Sequence, residues 1–86
     1  MKINSVLGPI DVESLGSTLI HEHLGIGWTG WELDHQDFDR KKACDKAVDK
    51  LKELRDLGIT SFVDPCPMEL GRDPEFAAEV SEKSGM

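Results

Sequence analysis

A long amphipathic segment that runs directly into a short apolar one limits the folds open to this chain. Within Phe38–Leu57, apolar residues recur at spacings of three and four, as one buried helix face requires. The residues on that face are Cys44, Ala47, Val48, Leu51 and Leu54. Asp37 or Asp39 can cap the start of the helix, and Gly58 suits the left-handed position just past its end.

Short runs of apolar and β-branched residues, each bounded by turn residues, predict four strands. These strands are Ile3–Leu7, Ile10–Val12, Ser17–Leu24 and Ile59–Asp64. The first two form a hairpin around the turn Leu7-Gly8-Pro9-Ile10. The last follows the long helix at once and is mostly apolar, which is typical of a strand buried on both faces.

A second helix follows the last strand. Asp73 caps it, Pro74 fits its first position, and the pattern predicts that it runs to about Lys83, with Gly85 past its end. The order strand, helix, strand, helix predicts an α/β fold with parallel strands and helices packed outside them. The segment Gly25–Gln36 has no clear period and is predicted to be a long loop, of the kind that is usually functional.

The composition excludes several classes of protein. The 86 residues carry a net charge of −7, which argues against nucleic acid or an anionic membrane surface as the main partner. No segment approaches the about 20 apolar residues that span a bilayer. Two cysteines, Cys44 on the buried helix face and Cys66, are too few for a disulfide scaffold. The N-terminus does not resemble a secretory signal, so we expect a reducing, cytoplasmic location.

The motif His21-Glu22-His23 is the feature most indicative of chemistry. On a strand, alternate side chains point the same way, so the two imidazoles would lie about 6–7 Å apart along the backbone. Two imidazoles at that separation can converge on one divalent metal ion. Glu22 would point to the opposite face, as a packing group or a support for a ligand. A His-x-His motif on a strand also occurs without any metal, and that interpretation stays open.

Other residues near this motif admit two interpretations each. His35 is a third ligand or, as we favour, part of an exposed acidic loop. Asp64 orients a ligand or bonds loop amides, and we favour the structural role. Cys66, between two prolines, binds a soft metal or is inert, and inert is the favoured interpretation. Trp28 and Trp31 line an apolar pocket or fix the loop to the helix.

Several motifs together resemble one family. They are Val6–Ile10, Leu15–Leu24, Gly58–Asp64 and Gly71–Pro74, and they resemble the N-terminal part of the phosphotriesterase-related family of the amidohydrolase superfamily. The likeness extends over essentially the whole chain. The motifs occur in the order and at the distances that the family shows, so their joint pattern is specific, whereas His-x-His alone would not be.

The resemblance implies a (β/α)8 TIM-type metallohydrolase barrel, of which residues 1–86 would supply the N-terminal hairpin and the first two β/α units. It implies a binuclear centre, usually zinc, whose activated hydroxide hydrolyses phosphotriester, lactone or related ester bonds. His21 and His23 match the metal ligands of the first barrel strand. Leu70 falls where the family builds its substrate pocket, and Trp28 is a further candidate for binding substrate.

The remaining ligands and the catalytic residues of such a site would lie beyond Met86, because a barrel of this kind takes about 250 residues. We therefore expect the 86 residues alone to hold at most one partial metal site and to be inactive. The expected partner is a small ester or lactone, and a second copy or a completing chain is left open. The alternatives are a non-catalytic zinc-binding or interaction module, or an inactive truncated product.

Overall fold

The computed structural model describes residues 1–86 as a hairpin followed by an α/β unit. The elements are β1 (Lys2–Ser5), β2 (Gly8–Asp11), β3 (Thr18–Leu19), α1 (Trp31–Asp34), α2 (Arg40–Asp56), β4 (Ser61–Phe62) and α3 (Pro74–Ser84). Strands β1 and β2 pair antiparallel, whereas β3 and β4 pair in parallel across α2. The predicted hairpin and the predicted order of strand, helix, strand, helix are confirmed. The short helix α1 was not predicted.

The hairpin turn lies earlier than predicted. The Ser5 hydroxyl donates to the carbonyl oxygen of Gly8 at 2.7 Å and accepts from the amide of Leu7 at 3.2 Å. These two bonds close a turn at Val6–Leu7, so Gly8, with φ of +117°, opens the second strand. The predicted turn at Leu7–Ile10 is therefore wrong, because the serine side chain stabilises a tighter reversal.

The parallel strands are shorter than predicted. Instead of Ser17–Leu24 and Ile59–Asp64, only two residues of each segment form a regular ladder. Beyond it, the amide of Val63 donates to Leu19 at 2.8 Å, and the amide of Glu22 donates to Val63 at 3.0 Å. Each strand has a single neighbour, so these isolated bonds hold the two chain segments together without extending the ladder.

Helix α2 closely matches its prediction. It begins at Arg40 rather than Phe38, because the Asp39 side chain accepts from the amide of Lys42 at 3.1 Å and takes the cap position. At the other end, Gly58 adopts φ of +95°, the left-handed conformation expected of a glycine just past a helix.

Helix α3 also begins and ends as predicted. The Asp73 side chain accepts from the amide of Phe76 at 2.9 Å, and Pro74 is the first helical residue. Gly85 follows the last turn with φ of +79°. None of the helices is both long enough and apolar enough to cross a lipid bilayer.

The core lies in the seam between α2 and α3. Its buried apolar residues are Cys44, Val48, Leu51 and Val80. Cys44 is 1% exposed, which confirms its predicted place on the buried helix face. Both cysteines are free thiols, and no disulfide joins the helix to the loop that carries Cys66.

An ion-pair network crosses the rim of this seam. Glu79 of α3 accepts from Lys83 at 2.7 Å and from Arg40 of α2 at 2.8 Å. These hydrogen bonds, that from Lys83 first, lower the pKa of Glu79 from its ordinary 4.5 to about 2. The same carboxylate raises the pKa of both Arg40 and Lys83. The guanidinium of Arg40 also lies 5.1 Å from the ring centroid of Phe76.

Helix α1 corrects the prediction that Gly25–Gln36 is an irregular loop. Gly30 adopts φ of +89° and lets the chain turn into the helix. Four residues after Trp31, the Nδ1 atom of His35 donates to the Trp31 carbonyl at 2.9 Å and its ring stacks on the indole. This contact between His35 and Trp31 stabilises a single helical turn. A helix of one turn is too short to show a hydrophobic period in the sequence.

Candidate metal centre

The two histidines of the His-x-His motif lie directly after β3, at the carboxyl end of that strand. The ring centroids of His21 and His23 are 5.2 Å apart and their planes meet at 88°, so the imidazoles pack edge to face. His21 is exposed and the His23 side chain is 23% exposed. The structure therefore brings the two rings together within reach of solvent, although the segment that carries them is not a regular strand.

Asp64 follows β4 and holds one of the two rings. Its Oδ1 atom lies 2.9 Å from Nδ1 of His23. The same carboxylate accepts from the amide of Leu24 at 3.1 Å and from the amide of Cys66 at 3.0 Å. A carboxylate can only accept hydrogen bonds, so a neutral His23 ring carries its proton on Nδ1 and keeps a lone pair on Nε2. Asp64 therefore makes the contacts that both of its predicted roles require, because it bonds the possible ligand His23 and also bonds loop amides.

Cys66 lies next to His23 and Asp64, on the side that faces away from solvent. Its side chain is 3% exposed, and its sulfur lies 3.3 Å from the carbonyl oxygen of Leu70 and 3.8 Å from that of Gly25. The ligand atoms of His23, Asp64 and Cys66 all fall within 4.8 Å of one another. A buried thiol that faces carbonyl oxygens acts as a weak S–H donor, and its predicted inertness stays a prediction.

Two polar residues near the motif lie apart from this group. His35 stacks on Trp31 with centroids 4.2 Å apart and planes at 10°, so its ring is engaged within the loop. The Glu22 side chain is exposed and makes no hydrogen bond in the structure. Glu22 lies beside Leu19 and Leu24 in a groove against α2, and its predicted role as a packing or supporting group stays a prediction.

A shallow apolar cavity of about 310 Å³ lies between the loops that follow β3 and β4. Its lining residues are Ile26, Gly27, Trp28, Trp31 and Leu70. Both residues predicted to bind substrate, Trp28 and Leu70, are among them. Trp28 is 79% exposed, whereas Trp31 also contacts Phe38 edge to face at 5.2 Å. The two tryptophans therefore differ: Trp28 only lines the cavity, and Trp31 also fixes the loop.

Two hydrogen bonds that no sequence pattern indicates connect the cavity to the histidine site. The amide of Gly27 donates to the carbonyl oxygen of Leu70 at 2.9 Å. The Arg72 guanidinium donates through Nε to the carbonyl oxygen of Cys66 at 2.8 Å. These partners are distant in sequence or follow no periodic pattern, so no spacing rule could have found them. The one accessible signal was an aspartate directly after an apolar strand, which marked Asp64.

The fold and this site define an α/β protein with two histidines at the carboxyl end of one parallel strand and a carboxylate that follows its neighbour and contacts one of them. A profile of the phosphotriesterase family matches residues 1–86. The chain belongs to the phosphotriesterase family, which confirms the resemblance that the sequence motifs carry.

Two relatives share about a third of the aligned residues with this chain. A phosphotriesterase homology protein of Mycobacterium tuberculosis strain H37Rv is 36% identical over 73 residues, which are 83% of this chain and 22% of that protein. An aryldialkylphosphatase of Saccharolobus solfataricus is 31% identical over 84 residues, which are 90% of this chain and 25% of that protein.

Solved structures superpose on nearly the whole chain. The organophosphorus hydrolase from Deinococcus radiodurans matches with a TM-score of 0.92 and 36% identity over 99% of this chain and 26% of that one. A variant of the phosphotriesterase-like lactonase from the same organism matches with a TM-score of 0.89 over 95% of this chain and 26% of that one. The chain therefore spans about a quarter of the length of the proteins it resembles.

Proposed function

We propose that His21 and His23 are the first metal ligands of a metal-dependent hydrolase that acts on phosphotriester, lactone or related ester bonds. The observation that carries this proposal is the 5.2 Å edge-to-face pair of imidazoles at the carboxyl end of a parallel strand. The relatives support the reaction class, since their names record an aryldialkylphosphatase, an organophosphorus hydrolase and a phosphotriesterase-like lactonase.

The donor atoms at this site fit a divalent ion such as zinc. His23 commits Nδ1 to Asp64 and so has Nε2 available, while His21 makes no side-chain hydrogen bond within the protein. Neutral imidazole nitrogens are common zinc ligands. Two imidazoles leave a tetrahedral ion under-coordinated, so a complete centre would take its remaining ligands, and any second ion, from groups outside this pair.

The chemistry that such an ion supplies when bound is activation of a water nucleophile near neutral pH and polarisation of the ester oxygen. The residues of this chain bind the ion, orient one of its ligands and provide an apolar surface for the substrate. Asp64 holds the His23 ring in one orientation through the 2.9 Å bond to Nδ1. Trp28 and Leu70 offer an apolar wall against which a non-reacting substituent of a small ester packs.

We further propose that residues 1–86 form the N-terminal part of one (β/α)8 barrel domain. Parallel pairing of β3 and β4 across α2 supports this, because it is the repeating unit of such a barrel. The superposition on about a quarter of the organophosphorus hydrolase points the same way. In barrels of this kind, catalytic residues come from the ends of several strands, so the catalytic groups here would come from strands other than β3 and β4.

Metal binding without hydrolysis is the second candidate. It is favoured by the engagement of the third histidine, His35, with Trp31, which leaves the site of this chain with two imidazoles. Under this alternative, the apolar cavity serves an interaction rather than a substrate. The two functions share the same ligands and differ only in the reaction, so the test must measure binding and hydrolysis separately.

Zinc titration of the chain and of two alanine variants tests the metal-binding proposal. We expect His21→Ala and His23→Ala each to weaken zinc binding by more than about tenfold, since removing a ligand costs at least as much as removing a supporting contact. His35→Ala is the matched control and should bind zinc like the unaltered chain. Equal zinc affinity in all four proteins would contradict the assignment of His21 and His23.

Hydrolysis of a chromogenic dialkyl aryl phosphate and of a lactone then separates the two functions. We expect the zinc-loaded 86-residue chain to show no turnover above zinc alone, because two imidazoles do not build the whole centre. A polypeptide that carries this chain together with the rest of the barrel should hydrolyse one of the two substrates and lose that activity on His21→Ala. A complete, metal-loaded protein that cleaves neither substrate would favour the non-catalytic alternative.

A further inference from the structure

We propose that Asp64 is a positioning residue, which fixes the tautomer and the orientation of His23 so that Nε2 faces the metal. This inference rests on the proposed function of His23 as a ligand. It adds a residue from the segment after β4 to a motif that lies in the segment after β3. Asp64 itself touches neither substrate nor metal in this account, and it acts through the His23 ring alone.

The geometry of the carboxylate supports a positioning role because both oxygens are held by the backbone. The amide of Leu24 donates to Oδ2 at 3.1 Å and the amide of Cys66 donates to Oδ1 at 3.0 Å. One amide lies in the segment after β3 and the other in the segment after β4. Asp64 is thus fixed from two sides, and the 2.9 Å bond to His23 transfers that fixed direction to the imidazole.

The contact between Asp64 and His23 determines which tautomer the neutral His23 ring adopts. A carboxylate presents acceptors only, so a neutral His23 must donate from Nδ1. The two side chains are 23% and 21% exposed, and partial removal from water strengthens the bond. A hydrogen bond to the far nitrogen raises the ligand basicity of the near one and sets the ring direction, as is general for histidines that bind metals.

A competing arrangement would place the ion on the inner side, between Nδ1 of His23, Asp64 and the Cys66 sulfur. These atoms lie within 4.8 Å of one another. An ion there would have to displace the 2.9 Å hydrogen bond between His23 and Asp64, and it would have to reach the sulfur of Cys66, which is 3% exposed and faces carbonyl oxygens. The structure therefore favours the outer nitrogen of His23 as the ligand atom and Asp64 as its support.

The first arm of the test needs no metal and no variant. Long-range 1H–15N correlation spectra of the 15N-labelled chain, recorded at about pH 8 where a free imidazole is neutral, report which ring nitrogen carries the proton. We expect His23 in the Nδ1–H form. Observation of the Nε2–H form would overturn the proposal, whatever the fate of the metal-binding claim.

The second arm compares Asp64→Asn with Asp39→Asn. Both aspartates accept a backbone amide, but only Asp64 contacts a histidine. An asparagine offers an oxygen and an NH2 group, so we expect Asp64→Asn to lose the single His23 tautomer and to weaken Co²⁺ binding about 10- to 100-fold. Asp39→Asn should leave both unchanged. Unchanged tautomer and affinity in a folded Asp64→Asn protein would overturn the proposal.

The Co²⁺ spectrum separates this proposal from the one on which it rests. Sulfur-to-metal charge-transfer absorption that Cys66→Ser abolishes would indicate the inner arrangement and overturn the role of Asp64 as a support. If His21→Ala leaves Co²⁺ binding intact while the His23 tautomer depends on Asp64, then the proposed histidine site fails and the positioning contact stands. Far-UV circular dichroism of each variant confirms that the comparison is made between folded proteins.

Discussion

The backbone amide of Gly27 donates a 2.9 Å hydrogen bond to the carbonyl oxygen of Leu70. This bond joins the loop after β3 to the loop after β4, although the two residues are far apart in sequence. Both residues line the same apolar cavity. The same two loops that form the cavity wall also carry His23 and Asp64 of the histidine site.

Replacement of Gly27 by alanine tests how tightly this loop packs. A Cβ atom at Gly27 would lie 3.1 Å from Cγ of Trp31, so the indole must move. We expect Gly27→Ala to destabilise the protein by about 1 kcal/mol, at the low end for overpacking, and to shift the tryptophan emission. Gly25→Ala is the matched control, since its Cβ meets nothing within 4 Å. Equal effects of the two substitutions would contradict the packing of Trp31 over Gly27.

Truncation of Val80 tests the seam between α2 and α3. Val80 is 0% exposed, and it packs with the buried face of α2. We expect Val80→Ala to lower the free energy of unfolding by about 2 kcal/mol, measured by urea titration, because it removes buried methyl groups and leaves a void. Val63→Ala removes the same atoms from a residue that is 50% exposed and should cost less than about 0.5 kcal/mol.

The ion-pair network predicts a pH dependence of stability with a definite sign. Glu79 has a pKa of about 2 in the folded protein, below its ordinary 4.5, so the unfolded chain binds this proton more readily. The stabilisation by Glu79 is therefore complete above pH 4.5 and is lost as the pH falls toward about 2. Glu79→Gln removes it at every pH, so the difference in thermal midpoint between the two proteins should narrow as the pH falls through this window.

A neighbouring glutamate provides the control for this measurement. Glu82 is an exposed residue of the same helix and makes no ion pair in the structure. Glu82→Gln should leave the pH dependence of the thermal midpoint unchanged. A gap between the unaltered protein and Glu79→Gln that stays constant from about pH 7 to about pH 2 would argue against the network of Arg40, Glu79 and Lys83.

Local chemistry made the two long helices predictable. Caps such as Asp39 and Asp73 and the left-handed glycines at 58 and 85 act within a few residues, so the sequence alone indicates where α2 and α3 begin and end. The parallel strands were overestimated because an apolar run does not show whether each backbone group has a partner. The prediction that the second of them is buried on both faces is wrong, since Val63 is 50% exposed and Ser61 and Phe62 are only partly buried. Helix α1 escaped prediction because a single turn held by His35 has no period to detect.

The site was predictable only as far as its residues are neighbours in sequence. The spacing of His21 and His23 placed both rings on one side, and the structure holds them 5.2 Å apart. The contact of His23 with Asp64 joins the segments that follow β3 and β4, and the direction of a carboxylate depends on which amides donate to it in the folded chain. Likewise, Trp28 and Leu70 meet at one cavity because backbone hydrogen bonds between loops bring them there, which no spacing in the sequence encodes.

Zinc-edge X-ray absorption of the zinc-loaded chain tests the central claim most directly, because it identifies the atoms around the ion. We expect the ion to be bound by two imidazole nitrogens at about 2.0–2.1 Å, with oxygen as the remaining ligands and no sulfur. The two-imidazole signal should fall to one imidazole in His21→Ala. A sulfur scatterer at about 2.3 Å, or a shell without imidazole, would contradict the assignment of His21 and His23 as the metal ligands.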